Sequence, residues 1–86
     1  MTLDTDKIDD AVLALFQLTL HDHNRAWKGF DWAVLDRLHE RGLIHDPVGK
    51  VKSVALTSEG LQRSQELFKA MFVKQDGAVG RASPDQ

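Results

Sequence analysis

Between Thr5 and about His21 the chain reads as a helix, with Ile8, Val12, Leu15, Phe16 and Thr19 recurring at helical spacing. Ala11, Leu13, Ala14, Leu18 and Leu20 fill the opposite side, and from Ala11 to Leu20 only Gln17 and Thr19 are polar. A helix that is apolar nearly all round needs cover nearly all round, so its second face is expected to meet another subunit. Asp4 or Thr5 supplies the N-cap, with acidic residues complementing the helix dipole in the first turn. A second helix, Asp31 to Arg41, carries the stripe Val34, Leu35 and Leu38, with Asp36, Arg37, Glu40 and Arg41 facing outward and Gly42 as a left-handed stop. Leu43 and Ile44 then start an extended run, and Asp46-Pro47-Val48-Gly49 fits a type I turn into a strand at Val51 to Leu56. Thr57 caps a closing helix from Ser58 to about Val73, where Gly60 permits close approach to the hairpin. Its C-terminal half holds Leu67, Phe68, Met71 and Phe72, more apolar surface than a small core needs.

The linker His21 to Phe30 is too short for another helix, and Arg25 to Lys28 fits a short strand pairing with the later hairpin. Phe30 lies before the capping Asp31, with Leu35 four positions into the helix, which is hydrophobic-staple spacing. Trp27 and Trp32 are expected to plug the core and orient this helix. The competing reading makes Trp27, Lys28, Phe30 and Trp32 an aromatic and basic patch for bases or a ligand. The order of helix, short strand or linker, helix, β-hairpin wing and C-terminal helix predicts an α+β, small winged-helix-like domain over residues 4–73. Residues 74–86, without a periodic apolar pattern, are expected to form a disordered tail.

The runs VLDRLHERGLI and SVALTSEG, separated by a turn, resemble the recognition helix, wing and closing helix of winged-helix regulators of the multiple-antibiotic-resistance type. Residues of about 6 to 72, including AWKGFDW and DPVGKVKSVALTSEG, are also similar to a family of small bacterial proteins of unknown function. The first resemblance implies DNA binding; the second implies no activity. The chain departs from the regulators in two places. The helix that precedes the recognition helix is missing or reduced to the linker, and the helix in the recognition position is acidic on balance.

Charge sharpens the functional question. The 86 residues carry a formal net charge of −2, with Asp4, Asp6, Asp9 and Asp10 against Lys7 at the N-terminal end and Lys50 and Lys52 against Asp46 in the hairpin. Nucleic-acid binding therefore rests on a few local cations: Arg37 and Arg41 in the groove, Lys50 and Lys52 on phosphates, and Lys28 as a further DNA-binding candidate. His21, His23, His39 and His45 give no four-ligand zinc spacing, and the chain has no cysteine, so no metal or other cofactor is expected. The aspartate cluster is read as a solvated helix start. No nucleophile motif or phosphate loop points to an enzyme. Without a signal-like or membrane-spanning stretch, a soluble cytoplasmic protein is expected, with no membrane partner. The leading function is a DNA-binding transcriptional regulator acting on double-stranded DNA. The alternative is a dimeric protein–protein interaction module that does not bind DNA and docks another protein. In either case Leu13, Leu20, Leu67, Met71 and Phe72 are the expected homodimer surface.

Overall fold

A computed structural model of the chain describes residues 2–74. The expected tail falls, Lys74 apart, outside the described residues. Three helices and a two-stranded antiparallel sheet make an α+β domain consistent with a small winged-helix-like arrangement. Helix α1 spans Thr5–Leu15 and tightens into a 3-10 turn at Phe16–Thr19. Strand β1 is Arg25–Trp27, helix α2 Trp32–Glu40, strand β2 Ser53–Ala55 and helix α3 Ser58–Phe72. Asp4 caps α1 by accepting from the Lys7 N–H at 3.1 Å. Thr57 caps α3, its hydroxyl accepting from the Gly60 N–H at 3.0 Å. Asp31 occupies the N-cap position of α2 with extended backbone, but its side chain makes no capping hydrogen bond.

The first helix ends earlier than its apolar run suggests. Its regular part stops at Leu15, near the point where the buried Ser64 hydroxyl of α3 donates to the Leu13 carbonyl at 2.6 Å and accepts from Gln17 Nε2 at 2.9 Å. Beyond Thr19 the chain turns sharply at Asp22 and His23, both in the left-handed region at φ 47° and 75°, so that His21 and Arg25 pair through two backbone hydrogen bonds. Asp and His are among the residues that tolerate this conformation without glycine.

Alignment of the sheet follows from that turn. Ala26 pairs with Val54, flanked by Arg25 with Ala55 and Trp27 with Ser53. The expected strand at Arg25–Lys28 is present, and it pairs with β2 as anticipated. The anticipated hairpin is not regular: its first arm contributes one bridge, Ile44 to Leu56, and a hydrogen bond from the His45 N–H to the Ala55 carbonyl. Residues 46–52 form a loop. The Asp46 carboxylate accepts from the Val48 N–H at 3.0 Å, Pro47 is buried, and the Lys28 ammonium donates to the carbonyls of Pro47 and Gly49 at 2.6 and 3.2 Å. These contacts draw the loop back toward β1, and the first arm pairs with the sheet only at Ile44 and His45.

The core is built as the apolar pattern predicts. Val34, Leu35 and Leu38 of α2 join Leu13, Phe16, Ala26, Leu43, Ile44, Val54 and Leu56 in one buried cluster, with Phe30 and Leu61 against it. Phe16 meets Phe30 edge-on, ring centroids 5.6 Å apart. Gly42 stops α2 at φ 75°, and Gly60 sits so close to Leu43 that an added Cβ would lie 1.8 Å from its carbonyl oxygen. Glycine is therefore the residue that lets α3 start against the chain leaving α2.

Candidate binding face and the helix arginines

Two of the predicted groove contacts are turned toward α1. Arg37 donates through Nε and a terminal nitrogen to both Asp9 oxygens at 2.6 and 2.7 Å, a bidentate pair in which the Asp9 side chain is 2% exposed. Donating to the Asp9 carboxylate raises the guanidinium pKa above that of a free arginine, so Arg37 stays charged at every working pH. Arg41 lies 3.8 Å from Asp10 Oδ1, and Arg63 of α3 approaches the same oxygen at 4.0 Å. That oxygen is buried and, among the described residues, accepts no hydrogen bond; these two longer contacts are its ion pairs there. Asp9 and Asp10 are accordingly not part of a solvated helix start: they tie α1 to α2 and α3. The outward orientation expected for Arg37 is corrected by the same geometry, because an acid at position 9 offers it a charged partner that solvent does not.

The remaining predicted cations gather at the other end of the fold. Lys28, Lys50 and Lys52 line an open groove of about 310 Å³ together with Trp27, Gly29, Gly49 and Val51. No acidic residue lines it. Lys28 is committed to the loop carbonyls and also sits 5.8 Å from the centre of the Trp32 ring. Lys50 and Lys52 are exposed, and neither enters an ion pair among the described residues. Trp27 and Trp32 do not plug the core: they remain 49% and 52% exposed. The reason is geometric. Ala26 occupies the one covered face of the short sheet, so its neighbour Trp27 points to the opposite face. The Trp27 indole instead lies over Gly29, where an added Cβ would come within 2.5 Å of its Nε1. Gly29, Gly49 and Val51 were not among the predicted binding residues.

The expected dimer surface is also rearranged. Leu13 is fully buried in the chain's own core, between the elements that α1 packs against, and has no surface to offer a second copy. Leu67 packs against the same core and Leu20 is half-buried. Met71 and Phe72 remain exposed at the end of α3, with Phe72 resting 6.0 Å from Phe68. The four histidines are spread over exposed positions, and no cluster of three His, Asp or Glu able to hold a metal occurs among the described residues. No helix among them is long and apolar enough to cross a membrane.

The fold and this face define a small α+β domain consistent with a winged-helix-like arrangement. Residues 4–74 match the model of a domain of unknown function, DUF6429, and the chain belongs to that family. It is 68% identical over 74 residues to an uncharacterised protein, y4hR, of Sinorhizobium fredii, an alignment that covers 86% of this chain and all of the relative. No solved structure matches the chain.

Proposed function

We propose that the chain is a DNA-binding module that uses its loop-side groove, not its second helix. The observation that carries this reading is the grouping of Lys50 and Lys52, which enter no ion pair among the described residues, with the half-exposed Trp27 on a surface that none of the described acids lines. Phosphate neutralisation dominates affinity for DNA, and lysines already held by carboxylates contribute little to it. The likeness of residues 34–44 and 53–60 to regulators of the multiple-antibiotic-resistance type supports DNA as the ligand. Arg37 and Arg41 take a different role here from the one that likeness implies, since their partners are Asp9 and Asp10. Regulation of transcription by a soluble cytoplasmic protein is the corresponding biological role.

The test is fluorescence anisotropy of a labelled random-sequence DNA duplex across a salt series. Binding is expected to weaken steeply as salt rises, and each of Lys50→Ala and Lys52→Ala is expected to lower the salt slope by about one. Absence of binding at low salt, to the duplex and to a single strand of equal length alike, refutes the reading.

A second reading, a dimeric interaction module without DNA binding, is favoured by the apolar end of α3, where Met71 and Phe72 are exposed beside Phe68. Sedimentation at micromolar concentration tests the dimer, and the anisotropy series separates this reading from DNA binding. A homodimer weakened by Met71→Lys supports that surface as the self-association site, and a monomer refutes it.

A further inference from the structure

The groove beside Trp27 has features that phosphate contacts alone do not require. Its floor is an indole held on one side by the Gly29 backbone and open on the other, and its rim is basic. The ammonium of Lys28 is spent on the Pro47 and Gly49 carbonyls, which makes it a positioning residue that holds the loop across from Trp27. The volume, about 310 Å³, lies at the lower end of small-ligand pockets and suits one planar group, not the side of a duplex. In a duplex the base faces are covered by their neighbours in the stack, so an indole cannot reach them. An unpaired base offers both faces.

We infer that the groove takes one unpaired nucleobase stacked on Trp27, with the flanking phosphates on Lys50 and Lys52, so that the site prefers single-stranded over double-stranded nucleic acid. The inference rests on the DNA-binding reading above and names the form of the ligand. A peptide is the weaker fit. An aromatic side chain would satisfy the indole, but it brings anionic groups to Lys50 and Lys52 only if acids flank it, whereas every nucleotide carries a phosphate beside its base. Base–aromatic stacking is sequence-tolerant, because each base has a π face. The site is therefore expected to read strandedness more than sequence.

Anisotropy with labelled oligothymidylate, an equal-length duplex and an equal-length abasic oligonucleotide tests this. The wild-type chain is expected to bind oligothymidylate more tightly than either of the others. Trp27→Leu is expected to weaken oligothymidylate binding roughly 5- to 150-fold, the range for losing one stacked base, and to weaken duplex and abasic binding by much less. Gly29→Ala serves as a second variant that keeps the indole but displaces it, since the new methyl would overlap Nε1; the same selective loss is expected. Circular dichroism establishes that both variants are folded. The inference is overturned if the abasic strand or the duplex binds as tightly as oligothymidylate, if folded Trp27→Leu retains full affinity, or if polyglutamate competes at equal charge concentration. If none of the nucleic acids binds, the DNA-binding reading itself falls, and this inference falls with it. Duplex binding without single-strand preference removes only the inference.

Discussion

Gly60→Ala separates the close-approach argument from helix propensity, because the two predict opposite signs. By propensity alone, alanine in the first turn of α3 stabilises by up to about 1 kcal/mol. In the fold, its methyl would sit 1.8 Å from the Leu43 carbonyl oxygen and 2.7 Å from the carbonyl carbon. Backbone atoms cannot swing aside as a side-chain tip can, so α3 and the segment after α2 must separate by about 1.2 Å to restore even a 3.0 Å contact. That movement strains two hydrogen bonds, from the Thr57 hydroxyl to the Gly42 carbonyl at 2.7 Å and from the Thr57 N–H to the Leu43 carbonyl at 3.1 Å. It also loosens Leu43 and Ile44 in the buried cluster. Overpacking costs about 1–3 kcal/mol and each weakened hydrogen bond roughly 1 kcal/mol. Against the propensity gain, a net loss of about 2–4 kcal/mol remains. That is a large share of the roughly 5–15 kcal/mol typical of a domain. Urea unfolding followed by circular dichroism should show a lower midpoint with an unchanged slope, and thermal unfolding a drop of roughly 8–30 °C. A variant as stable as the wild type, or more so, would refute the reasoning.

Core and surface variants calibrate the same fold. Leu38→Ala and Phe16→Ala, both at fully buried positions, are each expected to cost about 2–5 kcal/mol in urea unfolding. Arg37→Ala leaves the buried Asp9 carboxylate without its bidentate partner and should lower the unfolding midpoint; Asp9→Ala added to it should restore part of the loss, which a double-mutant cycle measures. Because Asp9 holds the Arg37 pKa above the ordinary arginine range, the stabilisation from this charge is complete below that range and is lost only as pH rises through the raised value. No arginine-linked change in stability is therefore expected between pH 6 and 9. Lys50→Glu with Lys52→Glu should stay within about 0.5 kcal/mol of wild type, since both side chains are exposed and unpaired among the described residues.

The parts of this fold that were legible beforehand are those in which local chemistry and burial agree. The stripe Val34, Leu35, Leu38, the left-handed Gly42, the Thr57 cap and the tight Gly60 are each fixed by a short-range rule, and each occurs as expected. The expectations that needed correction depend on partners distant in sequence. Arg37 looked like an outward cation because its acid, Asp9, lies 28 positions earlier. Leu13 looked surplus because the helix that covers it, through the contact with Ser64, comes 51 positions later. The irregular loop that follows the hairpin's first arm is held by Lys28, which reaches Pro47 across 19 positions. Trp27 is the instructive case, for the signal was present: Arg25-Ala26-Trp27 alternates, and a buried Ala26 places Trp27 on the open face. Its size argued for burial, and the period-two geometry of a sheet covered on one side prevailed.

Where a small acidic domain can meet an anionic ligand is decided by which cations its own carboxylates already hold. Helix α2 presents Arg37 and Arg41, but α1 answers with Asp9 and Asp10, and Arg63 approaches the same acidic pair from α3. Those charges join three helices to one another, and an approaching phosphate would have to compete with a carboxylate at 2.6 Å for Arg37. The groove differs in kind. Among the described residues its lining is acid-free and Lys50 and Lys52 enter no ion pair, and the loop that carries them is held by hydrogen bonds from Lys28 to backbone carbonyls. A net charge of −2 on the chain therefore does not argue against nucleic acid at this face. The screening length at physiological salt is about 8 Å, so local cations dominate over distant acids. The acids at the start of α1 act instead on the helix bundle, where they bind the arginines that a winged-helix pattern would otherwise assign to DNA.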